Sequence, residues 1–410
     1  MELQHERCAG IDISKRDAKV CVRTPGKRFG TFDKTVTVWG STSREVSRLH
    51  QFLLNEHVSV VVMEATGAYW KPYYYPMESD LNLMLVNARY ARNLPGRKTD
   101  VADAQWLAEL GAHGLVRPSF VPPEPIRELR ELTRTRTVFT RERSREVQRL
   151  EKLLEDSGIK LSSVATQITG VSGRAILAAL IDGQHDPAQL AELAKGRLRN
   201  KIERLTEALE GNFRARHAFL AREHLDRFDS LTAAIDRLSK RIETTIAPST
   251  DSVTLLATMP GVSNTIAQII IAETGGDMSQ FPSAAHLASW AGVCPGHNES
   301  AGKVKSSHTR PGNHYLKGAL GIAAMAAART NGTYLQARYK RLAGRRGPTR
   351  ALVATEHSML VSVWHMLTAH QPYEELGPDY FSRVNPGLTR RRALAQLANL
   401  GFEVTLTPTA

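Results

Sequence analysis

The chain has 410 residues, 42% of them hydrophobic, and its 54 Lys and Arg outweigh 41 Asp and Glu to leave a formal net charge of +13. At roughly one domain per 150 residues this is enough for two or three domains with real cores, which excludes a disordered or fibrous chain. The positive excess points to a polyanionic partner without naming it.

Cys8, Cys21 and Cys294 form no Cys-x-x-Cys pair, so neither a disulfide framework nor a zinc finger is expected, and a reducing compartment is. The first seven residues are polar and lack the apolar run of a signal peptide. The longest nearly uncharged stretch, Gly318 to Ala328, is well short of the roughly 20 residues a membrane span needs. A soluble, cytoplasmic protein with no membrane partner is expected.

In chain order, Cys8–Ile13, Ala18–Arg23 and the pieces Gly30–Phe32 and Thr35–Val38 read as three antiparallel strands, with a turn at Pro25-Gly26-Lys27. A helical pattern follows at Ser43–Asn55, then a buried strand Val58–Met63, a helix near Tyr69–Ser79, a strand at Leu83–Val86 and a helix from Asp100 to His113. The order βββαβαβα predicts a mixed sheet flanked by helices over 1–120. The proline-rich run from Arg117 to Pro125 reads as a stiff linker.

A helical, coiled-coil-like region is expected over 124–250. From Ile126 to Asp156 apolar residues recur at 3/4 spacing, while Arg127, Arg130, Arg134, Arg141 and Arg145 share the opposite face. That face is either solvated or a stripe for nucleic acid. Asp186–Ile246 is charged and heptad-like, which fits an antiparallel or intermolecular coiled coil. A third, mainly α domain is expected over 251–372, followed by a tail over 373–410. In it, Leu255–Ile270 reads as helix, tight turn at Pro260-Gly261-Val262 and helix, either a helix-hairpin-helix whose turn could seat a phosphate or an ordinary helix pair. Between Ser300 and Thr355 the sequence holds eleven Lys and Arg and no Asp or Glu. Solubility alone favours mixed signs, so this block argues for phosphate contacts.

Two constellations carry candidate chemistry. Asp12 ends the first strand, Glu64 ends the central apolar strand, and Asp100 and Asp103 stand three apart at a helix start, hence on one face. Ionised carboxylates at such places need a basic partner or a metal ion. Four of them would suit Mg²⁺ or Mn²⁺, and two such ions about 4 Å apart can serve phosphodiester cleavage. Each residue alone is also an ordinary cap or turn residue. Arg89, Arg92, Arg97 and Lys98 just precede the last pair and could hold phosphates.

The second constellation is Ser300 among Ala301, Gly302, Lys303, Lys305 and His308, followed by Arg310 and Lys317. A serine hydroxyl in such a setting can attack a phosphodiester, or merely touch one. It is not a phosphate-binding loop of the Walker type, because five residues separate Gly296 from Gly302 and Val304 follows Lys303.

Five pieces, taken with their order and spacing, resemble one family. They are Gly10-Ile-Asp-Ile-Ser-Lys15, Met63-Glu-Ala-Thr-Gly-Ala-Tyr-Trp70, Lys98-Thr-Asp-Val-Ala-Asp-Ala104, Met259-Pro-Gly-Val262, and Pro295-Gly-His-Asn-Glu-Ser-Ala-Gly-Lys303 with Arg310-Pro-Gly-Asn-His-Tyr-Leu-Lys317. Together they resemble the DEDD transposases of bacterial insertion sequences, family one-hundred-and-ten. The resemblance implies an RNase H-like (RuvC-like) first domain in which Asp12, Glu64, Asp100 and Asp103 bind divalent metal, and a second domain in which Ser300 is the nucleophile. It further implies donor and target DNA as substrates, an element-encoded guide RNA, and a dimer or tetramer in which one subunit's carboxylates meet another's serine. Many relatives carry Ser-Ser-Gly-Gly-Lys where this chain has Glu299-Ser-Ala-Gly-Lys303, which leaves Ser300 as the one candidate there. Rival readings are a metal-dependent nuclease of the junction-resolvase kind and a non-catalytic nucleic-acid-binding protein.

Overall fold

The computed structural model describes residues 3–28, 30–65, 67–87, 100–296, 298–306 and 308–406, with the backbone alone at Asp100, Asn298 and Val304. Arg89, Arg92, Arg97 and Lys98 lie outside the described residues. The chain divides into two compact units, Met1–Val121 and Pro122–Ala410.

The first unit is built on β1 (Cys8–Ile13), β2 (Asp17–Pro25), β3 (Phe32–Gly40), α1 (Ser43–Asn55), β4 (Val60–Glu64), α2 (Lys71–Met77), β5 (Leu83–Val86) and α3 (Asp100–Ala112). Its sheet runs β3-β2-β1-β4-β5, with β1, β2 and β3 antiparallel and β4 and β5 parallel to β1. This mixed sheet fits the RNase H-like expectation. β4 begins two residues later than its apolar run and includes Glu64 as its last residue.

The two faces of the sheet bury different things. Ile11, Ile13, Val20, Val22, Val61 and Met63 pack with Val46, Leu49 and Leu53 of α1 and Tyr73 and Met77 of α2. Cys8, Cys21 and Val60 pack with Ala104, Ala108 and Ala112 of α3 on the other face. Small residues there let the helix come close. A Cβ on Gly10 would stand 2.2 Å from the Ala104 carbonyl oxygen and 2.3 Å from the Ala108 nitrogen, so only glycine lets β1 and α3 touch backbone to backbone.

The second unit begins with α4 (Glu124–Asp156), followed by α5 (Leu161–Val164), α6 (Val171–Ile181), α7 (Pro187–Glu192), α8 (Ile202–Ala208) and α9 (Ala215–Thr245). The expected helical stretch over 186–246 contains three separate α-helices. Asp186 caps α7 by accepting from the Ala188 N–H, and the segment between α8 and α9 is irregular. Ionic contacts between α4 and α9 link Glu128 to Arg241 and Glu146 to His224, which makes the two long helices antiparallel. Between them and the short helices lies a core of Leu150, Leu154, Ile176, Leu177, Leu180, Leu190 and Leu205.

The rest comprises α10 (Thr250–Ala257), α11 (Asn264–Thr274), α12 (Ala284–Ala291), β6 (Asn298–Ser300), β7 (Lys303–Ser306), α13 (His314–Ala327), α14 (Tyr334–Arg346), α15 (Pro348–Ala369), α16 (Tyr380–Val384) and α17 (Pro386–Asn399). Every residue of α11 from Ile266 to Thr274 is buried, which makes it the centre of this region.

The turn between α10 and α11 differs in use from the expected phosphate seat. Met259 and Val262 are buried, and a Cβ on Gly261 would stand 2.3 Å from the Ala323 carbonyl oxygen. The glycine, at φ +87°, serves close packing on α13. Among the described residues no helix is long and apolar enough to cross a membrane.

Candidate functional site

Alternate residues of a strand share a face, so Asp12 lies on the face of Cys8 and Gly10, and Glu64 on that of Val60 and Val62. Cys8 donates its thiol to the Ala108 carbonyl at 3.1 Å, Gly10 touches Ala104, and Val62 packs with Leu107, so this is the α3 face. The parallel register aligns Gly10 with Val62 and Ile11 with Met63, so the next pair along is Asp12 and Glu64. α3 runs against β1, from the level of Cys8 at Ala108 to that of Gly10 at Ala104. Two further strand residues advance about 6.6 Å, a little over one helical turn, which brings Asp12 level with the first turn of α3, where Asp100 and Asp103 lie.

Asp12, Glu64 and Asp103 are all half-buried. Lys19 stands directly across from Asp12 in the β1–β2 register, with its Nζ 3.4 Å from Asp17 Oδ1. The donors offered are carboxylate oxygens, which suit a hard cation. Cys8 and Cys21, farther along the same face, are buried, and burial pushes the Cys8 thiol up to about 11, so neither offers a thiolate. Among the described residues no group of three or more His, Cys, Asp or Glu stands close enough to hold a metal ion, and the Asp100 side chain is outside the description.

In the second unit, Ser300 is the last residue of β6 and pairs with Lys303 across a two-residue turn. Both turn residues have positive φ, Ala301 at +51° and Gly302 at +73°, as a tight hairpin of right-handed twist requires. Ala301 carries the cost, because a Cβ makes the left-handed region unfavourable by about 1 kcal/mol. Ser300, Ala301, Gly302, Lys303 and Lys305 are exposed. Ser300 and Lys303, opposite each other, share one face of the hairpin, while Lys305 falls where the register shifts, between Val304 paired with Glu299 and Ser306 paired with Asn298.

Polar bonds hold the root of this hairpin. Pro295 bridges Thr309, the Gly296 N–H donates to the His308 carbonyl at 2.9 Å, and Lys317 donates to the Gly292 carbonyl at 3.2 Å and Thr309 Oγ1 at 2.8 Å. Lys317 thus clasps both arms. Two of its three ammonium donors are spent on these internal oxygens. Asn313 caps α13 by accepting from the Tyr315 and Leu316 N–H groups, and its amide donates to Glu273 at 2.6 Å.

Glu273 is fully buried on α11 and accepts a two-pronged bond from Arg134, at 2.8 and 2.7 Å. Arg130 donates to the carbonyls of Ala272 and Glu273 at 3.1 and 2.6 Å, at the end of α11 where free carbonyls favour a cation. At these two positions of the expected arginine stripe the guanidiniums tie α4 to α11. Arg127 donates to the Pro122 carbonyl at 3.3 Å. Lys303, Lys305 and Arg310 are exposed and form no ion pair with a described residue.

Sequence reasoning missed the Glu273 network and a cleft of about 700 Å³ at the hairpin root, which α15 lines with Arg350, Val353, Ala354 and His357. The signal for the cleft was the spacing of Arg350, Ala354 and His357, which share one face of α15.

A family model for DEDD transposases of the IS110 type, described as a transposase, matches residues 9–158. A second, described as "Transposase IS116/IS110/IS902 family", matches residues 253–340. The chain belongs to the IS110 transposase family. The first match spans the positions of all four carboxylates and the second spans Ser300. The insertion element IS110 uncharacterized 43.6 kDa protein of Streptomyces coelicolor is 41% identical to this IS110-family chain over 73 residues. That alignment spans 18% of this chain and 18% of the length of the Streptomyces protein. A RuvC structure from Thermus thermophilus is 13% identical and is covered over 99% of its length by 28% of this chain, with a TM-score of 0.22.

Proposed function

We propose that this chain is the transposase of an insertion sequence that cuts and rejoins DNA through a covalent phosphoserine intermediate formed on Ser300. The observation that carries the reading is an exposed serine at the edge of a tight hairpin turn, with Lys303 directly opposite, Lys305 exposed on the same hairpin and no acidic residue from 300 to 355. Ser300 Oγ attacks the phosphorus, its proton passes to solvent or a base, and the phosphorus–oxygen bond to the deoxyribose breaks. The freed hydroxyl of the incoming strand later attacks the phosphoserine and releases the serine. Bond energy is conserved through the covalent link, so no nucleotide fuel is required. Lys303, Lys305 and Arg310 hold the scissile and neighbouring phosphates.

Asp12, Glu64, Asp100 and Asp103 would hold Mg²⁺ or Mn²⁺, which when bound supplies Lewis-acid polarisation of phosphate oxygens. Their shared place at the strand ends and the α3 start supports a common role. Region 1–120 acts as the nuclease domain, 251–372 as the serine-containing transposase domain, and 124–250 as the helical connection through which subunits join as a dimer or tetramer. A structured RNA encoded by the element selects donor and target DNA. The family membership and the cationic 300–355 block support these assignments.

The test is DNA cleavage with a trapped product run under denaturing conditions. The parent protein yields a protein–DNA adduct. Ser300→Ala removes the adduct and the cleavage, and Asp12→Asn or Glu64→Gln lowers cleavage by at least about a hundredfold with the fold intact. Free DNA ends and full activity in Ser300→Ala would establish hydrolysis by the acidic site alone and end the proposal.

A further inference from the structure

The hairpin that carries Ser300 roots in a cleft, and the walls of that cleft have a mixed character. Pro295, Val293, Val353 and Ala354 supply apolar surface, while Arg338, Arg346 and Arg350 bring three guanidiniums, and among the described residues no carboxylate lines it. Its volume is about 700 Å³, in the range of small-molecule sites and larger than one side chain could occupy. Glu356, next to the lining residue His357, is buried, with its Oε1 3.5 Å from the place of a Cβ on Gly321, which puts it against α13.

One polar group in the lining of the cleft is buried without a protein partner. Arg338 Nε is buried and has no hydrogen-bond partner, and its Nη1 reaches only Tyr334 Oη at 3.5 Å. A buried donor left unpaired is destabilising, so an acceptor from a ligand would relieve it. His357 is half-buried, and burial, aided by the Arg338 charge, holds its imidazole below the usual histidine range. A neutral imidazole offers one donor and one acceptor, which suits the edge of a base.

A ligand that satisfies all of this has a flat, largely apolar body with polar edges and an anionic group at one side. We propose that the cleft takes one unstacked nucleotide of a single nucleic-acid strand, its base between Pro295, Val353 and Ala354 and its phosphate on Arg346 and Arg350. The proposal rests on the nucleic-acid-handling reading above and names what that region binds. Extruding a base at the root of the Ser300 hairpin would anchor the strand beside the phosphate to be attacked, and the cleft contacts offset the cost of unstacking. The strand is DNA or RNA, which share this chemistry.

The full-length protein carrying Ser300→Ala is titrated, without divalent metal, into single-stranded DNA or RNA bearing 2-aminopurine between adenines, where stacking quenches it. A severalfold rise in emission with either strand is expected. Ala354→Trp, which puts an indole where the base would lie, should abolish the rise, and Arg350→Gln should weaken binding by about tenfold while the unfolding temperature stays near the parent's. Arg350 is exposed, so that variant tests the cleft even if Ala354→Trp does not fold. Emission and affinity equal to the parent in both variants would overturn the proposal, as would weakened affinity in Arg350→Gln with emission unchanged in a folded Ala354→Trp. The two readings fail separately: cleft variants that behave like the parent leave the serine chemistry standing, whereas cleft variants that act as expected beside a fully active Ser300→Ala overturn only the serine chemistry.

Discussion

Asp12 and Ser300 are fixed by different physics. Asp12 sits on a central strand whose neighbours are fully buried, and its position relative to α3 follows from Gly10, where backbone meets backbone. Ser300 sits on an exposed two-residue turn, held from below by a few polar bonds that run from Glu273 through Asn313 to α13 and from Lys317 to the hairpin root. Packing tolerates almost no change of volume, whereas a set of polar bonds can be loosened one at a time. Substitutions near the acids should therefore unfold the first unit, and substitutions near the serine should spoil its position before they unfold anything.

The largest effect is expected from Gly10→Val. Its side chain would need space already taken by Ala104 and Ala108 backbone atoms, and urea unfolding should show a loss of more than about 4 kcal/mol, or no soluble protein. A stable, well-folded Gly10→Val would break the contrast at its root. Glu273→Ala comes next, because it leaves Arg134 partly buried without its carboxylate. A loss of about 3–5 kcal/mol is expected by the same measurement, with cleavage falling in parallel.

Lys317→Met keeps the aliphatic stem and removes the clasp. It should cost only about 1–2 kcal/mol, yet lower cleavage by tenfold or more, which separates positioning from stability. A variant that loses neither would show that the hairpin root holds without the clasp. The smallest effect is that of Ala301→Gly. Glycine takes the left-handed conformation freely, so the turn should gain up to about 1 kcal/mol, read as a rise of a degree or two in unfolding temperature. A fall would show that the Ala301 methyl group makes a contact worth more than its strain.

Most of the first unit was legible because its signals are local. Three β-rich runs with a Pro-Gly turn, an amphipathic helix at Ser43–Asn55 and a short apolar strand ending at Glu64 each carry their own period. The second unit was less so. α6 is apolar on most sides, with Gly173, Ile176, Leu177 and Leu180 buried, so residues 157–185 showed no amphipathic stripe to mark a helix. The break of 186–246 into three helices depends on which sides find a core.

Charge was the least legible property. Arg130, Arg134 and Lys317 read as solvent-facing cations, yet each meets an internal oxygen supplied by a residue from 8 to 143 positions away, which spacing along one helix does not reveal. Ser300 and the acidic positions were visible because a serine between small and basic residues, and carboxylates that interrupt apolar strands, are locally out of place.

The central claim is that Ser300 forms a bond to DNA. Cleavage reactions quenched in denaturant, treated with nuclease and digested with protease should yield a peptide spanning Glu299 to Lys303 that carries a nucleotide on Ser300, read by mass spectrometry. The account predicts that adduct from the parent protein and none from Ser300→Ala. Cleaved DNA with an unmodified Ser300 peptide, or an adduct on another residue, would contradict it.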